Sequence, residues 1–177
     1  MAMTLITTNT SSDAATSDFT SSIDSTYKLY IFKFYDVNPA TNGTNFTFQA
    51  NVAGQSGFNE TVTSTYFHAE HDESGVTANV SYAAEHDQAQ GTAYQILQPV
   101  VGGGSDESGA GTLHLFNPAS TTYVKHWYYQ GMYYHGSNYA INGFVAGYFN
   151  VTGAIDEIDF KMASGNMDGV IKMYGIG

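Results

Sequence analysis

The densest run of ionisable side chains in the chain is His68-Ala69-Glu70-His71-Asp72-Glu73. Strand side chains repeat every two residues, so an extended backbone here puts His68 and Glu70 on one face. An imidazole beside a carboxylate is a potential ligand pair for Zn, Mn or Ni, and carboxylates alone suit Ca. Glu85-His86-Asp87 is a possible source of further ligands from a neighbouring loop, and Asp106 and Glu107 sit in a glycine loop of similar character. Short carboxylate-rich tracts are more often solvated turns. The reading is therefore a strand that ends in a charged loop, with no bound metal and no other cofactor.

Other catalytic patterns are missing. There is no G-x-S-x-G elbow, no phosphate-binding loop, no G-x-G-x-x-G and no H-E-x-x-H. A Ser/His/Asp triad is defined by geometry, so six His among many Ser and Asp carry little weight. The expectation is that the chain is not an enzyme.

The more informative cluster is aromatic: His126-Trp127-Tyr128-Tyr129 followed by Met132-Tyr133-Tyr134-His135. Planar rings with polar tips suit sugar stacking and protein interfaces alike. On a strand Trp127 and Tyr129 share one face and His126 and Tyr128 the other, so one set belongs to a core. Tyr133, Tyr134 and Tyr139 fall in a predicted Gly/Asn/Tyr loop, where core packing is harder to invoke. The candidate contact residues are thus Trp127, Tyr128, Tyr129, Tyr133, Tyr134 and Tyr139.

Charge narrows the partners. Sixteen acids stand against five Lys and no Arg, a formal net charge of -11. Nucleic-acid binding draws its affinity from cation–phosphate contacts, so it is not expected. Anionic membrane surfaces are disfavoured in the same way. The opening residues have neither the basic start nor the apolar core of a secretory signal, and no apolar run approaches the ~20 residues of a membrane helix. Only 12% of the residues are charged, which leaves a surface of Ser, Thr, Asn, Gln and Gly. There is no Cys, so thiolate metal sites are excluded.

The elements that position these residues read as strands. Aromatics make up 15% of the chain, and they favour pleated surfaces. Tyr27 to Tyr35 is apolar in both phases and predicts a strand covered on both faces. Phe46, Phe48 and Ala50 alternate with polar residues. Thr61 to Ala69 and Val76 to Tyr82 are further strands, the second with one wet side. Residues 83–98 admit a short helix or a loop leading into a strand at Tyr94 to Leu97. Thr112 to Phe116 and Thr122 to Tyr129 form a hairpin turned at Asn117 to Thr121. Ile158 to Met162 and Val170 to Tyr174 read as a second hairpin, turned at residues 164–169. Residues 1–22 are predicted as a short first strand (Leu5, Ile6) and a loose Ser/Thr/Asp-rich arm, and 23–177 as the body. With roughly eight or more strands and no crossover helix, the fold class is all-β, a single-domain, jelly-roll-like β-sandwich with a short extended N-terminal arm.

Several segments along nearly the whole length carry a resemblance. Among them are Ser22-Ile23-Asp24-Ser25-Thr26-Tyr27, Asn38-Pro39-Ala40-Thr41, Asp87-Gln88-Ala89-Gln90-Gly91-Thr92-Ala93 and Asp106 to Leu113. Thr122 to His126, Ala146 to Asn150, Phe160 to Asn166 and Ile171 to Ile176 continue it. In these turns and strands the chain resembles small β-rich virion structural proteins of tailed bacteriophages, particularly those of marine cyanobacteria and other marine bacteria. The resemblance implies a capsid decoration, head-fibre or tail-fibre role and often a homotrimer. A fibre normally carries a shaft or repeats, and this chain has neither. The expectation is an outer capsid decoration (cement) protein on the virion surface, with the major capsid protein as partner. The alternative is a tail-associated fibre or receptor-binding module that contacts host glycans.

Overall fold

Phe46, Phe48 and Ala50 alternate with Thr47 and Gln49, and all three apolar side chains are fully buried. That period of two recurs throughout the computed structural model, which describes residues 2–177. Its thirteen strands are β1 (Met3–Ala14), β2 (Ser17–Phe19), β3 (Leu29–Pro39), β4 (Thr44–Val52), β5 (Val62–Asp72), β6 (Ala78–Tyr82) and β7 (Ala89–Gly91), then β8 (Gln95–Val101), β9 (Gly109–Phe116), β10 (Lys125–His135), β11 (Tyr139–Phe149), β12 (Ile155–Met162) and β13 (Met167–Ile176). A 3-10 turn at Ala84–His86 is the helical piece among the described residues.

The chain is all-β, and every ladder is antiparallel. The larger layer runs β1-β13-β3-β9-β10-β11-β5, with β7 and β6 one after the other along the far edge of β5. The smaller layer runs β8-β4-β12-β2. The two join where His135 of β10 pairs with Val101 of β8, so hydrogen bonding continues from one layer into the other. The result is one sheet folded over on itself, close to a barrel and sandwich-like in its packing.

Aromatic rings fill the space between the layers. Phe160 of β12 meets Phe34 at 5.1 Å and Phe32 at 5.3 Å across the core. Phe48 of β4 packs edge-on against Trp127 of β10 at 4.9 Å. Ring pairs of this kind contribute roughly 0.5–1.5 kcal/mol each beyond the area they bury. Two rings need extra room. Gly111, Gly131 and Gly143 form one rung across β9, β10 and β11 on the inner face. A Cβ at Gly111 would lie 2.7 Å from the Tyr129 ring, and one at Gly143 would lie 2.9 Å from the Tyr66 hydroxyl. The missing side chains are what admit Tyr129 and Tyr66 to the core.

Several sequence expectations change. Residues 9–22 are not a loose arm: β1 extends to Ala14 and pairs along its length with β13, and β2 pairs with β12. Polar side chains suffice there, because the ladder satisfies the backbone and one face of the strand is wet. The last two strands are not a hairpin. β12 pairs with β4 and β2, whereas β13 pairs with β1 and β3, so the turn at 163–166 carries the chain from one layer to the other. The predicted loop after Tyr129 is strand, because β10 and β11 are one long hairpin. It closes through Gly136-Ser137-Asn138, with Asn138 in the left-handed region (φ 66) and its N–H bonded to the His135 carbonyl. Of the two alternatives for residues 83–98, the strand is realised, as β8.

Candidate functional site

The inner face of the larger layer is core, so surface chemistry falls to its outer face. Cross-strand register builds that face as a grid. One rung runs Thr8, Lys172, Lys33, Thr112, Gln130, Phe144, Phe67 and Tyr82 across eight strands, from β1 to β6. Its first five positions are polar or cationic, and its last three are aromatic. The neighbouring rung runs Leu5, Tyr174, Ile31, His114, Tyr128, Ala146 and Thr65.

At the aromatic end Phe67 and Phe144 stack face to face at 4.9 Å. Val80 is 73% exposed and Tyr82 63% exposed. The sequence gives Val76 to Tyr82 a dry side, but β6 is an edge strand and its apolar side chains face solvent. In the middle of the face Tyr128 lies on His114 at 4.4 Å and against Phe116 at 5.8 Å. An open hollow of about 520 Å³ lies beside this stack, bounded by Phe116, Tyr128, His126 and Tyr148. A second groove, of about 700 Å³, runs on the other side of Tyr128 past Gln130 and His114 to Lys33. Burial and the Lys33 charge hold the His114 imidazole below its ordinary value, so it is neutral at pH 7.

The six predicted contact residues divide. Trp127, Tyr129 and Tyr133 are at most 3% exposed and point into the core. The reading of these three as contact residues is corrected, because odd-numbered β10 side chains face the smaller layer. Tyr128 is exposed on the outer face. Tyr134 is partly exposed, and its hydroxyl donates to Glu73 and to Asn138 at 3.1 Å. Tyr139 is half-buried beside His135. The alternation of Trp127 and Tyr129 against His126 and Tyr128 holds, with the tryptophan set inside.

His68 and Glu70 do share a face, and their side chains meet at 3.5 Å. His71 points the other way, its Nδ1 2.8 Å from the Asp72 carbonyl oxygen. In the glycine loop the Glu107 carboxylate accepts the Gly104 N–H at 2.7 Å. Among the described residues no group of three or more His, Asp or Glu is placed to hold a metal ion.

Sequence reasoning passed over the residues that shape the outer face: Lys33, Phe67, His114, Phe116, Phe144 and Lys172. A signal for one of them existed. Lys33 sits in the middle of an otherwise apolar run, which marks one phase of β3 as open to solvent. Neither the protein-family models nor the curated proteins contain a match to this chain.

Proposed function

We propose that this protein is a non-enzymatic structural module of a tailed-phage virion, seated on the major capsid lattice by the aromatic β11–β5–β6 end of the outer face of its larger layer. The observation that carries the reading is the aromatic end of that face, where Phe67, Phe144, Val80 and Tyr82 form an exposed apolar surface on an open sheet edge. Exposed apolar surface of this kind is characteristic of protein contacts. The virion setting comes from the resemblance in the turn and strand segments.

The acidic remainder of the surface suits a protein that is displayed in many copies and must not aggregate with its neighbours. β6 carries no charged residue and no proline between Val76 and Tyr82. Edges without such guards accept another strand or a flat apolar partner.

The test is immunogold labelling of the source virions together with binding to capsids stripped of this protein. Gold over the head, and capsid binding weakened at least tenfold by Phe67→Ser with Tyr82→Ser, are expected. Gold confined to the tail tip would shift the role to receptor binding, and unlabelled particles would overturn the virion reading.

A further inference from the structure

Lys33 and Lys172 occupy directly opposed positions on β3 and β13, both on the outer face. Like charges at such positions, with Cβ atoms about 5 Å apart, repel each other. The chain has 16 acids with which to pair its five lysines. Yet neither ammonium has a carboxylate at ion-pair distance, and His68–Glu70 is the ion pair among the described residues. The two lysines rest on rings instead, Lys33 5.8 Å from the centre of Tyr174 and Lys172 5.4 Å from that of Tyr35.

Lys33 also lines the groove of about 700 Å³, together with Thr112, His114, Tyr128, Gln130 and Asn142. Lys125 shows what an engaged lysine looks like in this fold, with three carbonyls around its ammonium. Among the described residues the Lys33 ammonium, the Thr112 hydroxyl and the Gln130 and Asn142 amides have no such partners. Beside them the Tyr128 ring, 42% exposed, is held flat against His114. The groove thus offers one cation, three neutral polar groups and an aromatic platform, with no Asp or Glu in its lining.

We infer that this groove binds an anionic saccharide, a pyranose that carries a carboxylate or sulfate group. The Tyr128 ring, one face of which His114 covers, packs against the C–H face of the sugar. Gln130, Asn142 and Thr112 bond its hydroxyls. Lys33 meets the anionic group, and Lys172 beside it reinforces the positive potential. A bound anion removes the repulsion between the opposed lysines. The net charge of the chain does not prevent this, since charges more than about 8 Å away are largely screened at physiological salt. The groove spans the middle of the rung, from Lys33 to Gln130, and includes neither Phe67 nor Tyr82, so the inference stands apart from the capsid contact.

Affinity electrophoresis and calorimetry on the full chain test it, with polygalacturonate, dextran sulfate, dextran and polyglutamate as probes. Polygalacturonate reads a carboxylate and dextran sulfate a sulfate, dextran lacks the charge, and polyglutamate lacks the sugar. Binding to at least one anionic saccharide is expected, at least tenfold weaker to dextran and to polyglutamate. Lys33→Gln and Tyr128→Ala should each weaken it at least tenfold while leaving capsid association intact. The inference is overturned if neither anionic saccharide binds, if dextran or polyglutamate binds equally well, or if both substitutions leave binding unchanged.

Discussion

Asp18 on β2 and Asp159 on β12 stand directly opposite each other across an antiparallel ladder. Asp159 is buried, and the Tyr94 hydroxyl donates to it at 2.6 Å. Lys161 lies over the Tyr94 ring, 3.9 Å from its centre. Burial, and then the neighbouring Asp18, push the Asp159 carboxyl up to about 7. Asp159 therefore holds its proton up to near neutral pH.

The sign of the resulting pH dependence follows from the raised value. The folded chain binds this proton more tightly than the unfolded chain, whose carboxyl titrates near 3.8. The stabilisation is present in full below about pH 4 and is lost as pH rises through about 7, on the order of 4 kcal/mol at most. Asp159→Asn keeps a neutral partner for Tyr94 and removes that loss. Urea unfolding at pH 5 and pH 8 should show the variant ahead of the parent at pH 8. Equal or lower stability of the variant at pH 8 would refute the account.

Histidine acts in the opposite direction. Burial holds His86, His114 and His135 below the ordinary imidazole value of 6.5. Each favours the folded state when neutral, and that contribution is lost as pH falls from about 6.5 through the lowered values. In the parent the histidine and Asp159 effects oppose each other across the same window. In Asp159→Asn the histidine effect stands alone, so its stability should fall steadily from pH 7 to pH 5. A variant profile flat over that range would show that these imidazoles do not titrate with unfolding.

The glycine rung makes a packing prediction. A methyl at Gly131 would clash with the Tyr129 hydroxyl end and would lie 2.6 Å from the Ala110 carbonyl oxygen. Tyr129 has no way to retreat, because Gln98 donates to its hydroxyl at 2.6 Å inside the core. Gly131→Ala should therefore cost about 3 kcal/mol or more by overpacking. Gly54→Ala should cost less, since nothing lies within 4 Å of a Cβ there and only the positive φ opposes it. Thermal unfolding of the two variants side by side checks the ranking.

Strand periodicity made much of this fold legible. The alternation of Phe46, Phe48 and Ala50 and of Trp127 and Tyr129 marked true inner faces, because a side chain has only two sides of a strand to choose between. Which layer a strand joins is set by contacts far away in sequence, and so β12 and β13 looked like a hairpin. The layout of the outer face was hidden for the same reason. Lys172, Lys33, Gln130, Phe144 and Phe67 are scattered along the chain and meet only through register. Edge position was hidden as well. Val80 and Tyr82 carry the pattern of a core strand, and nothing local reveals that no further strand covers them.

Lys125 poses a balance that a single substitution decides. Its side chain is fully buried, and its ammonium donates to the carbonyls of Tyr123, Val151 and Thr152 at 2.8, 3.1 and 3.3 Å. Burial lowers its pKa from the usual lysine value, so carrying the charge costs stability at neutral pH. Against that stand three charge-assisted hydrogen bonds, each contributing roughly 1.5–3 kcal/mol. They also tie the segment before β10 to the one after β11. Lys125→Met relieves the desolvation cost but takes the donor away from three part-buried carbonyls. Lys125→Met should lose about 2 kcal/mol in urea unfolding at pH 7. A variant as stable as the parent would mean that desolvation is the larger effect and that these segments are held by the strands alone.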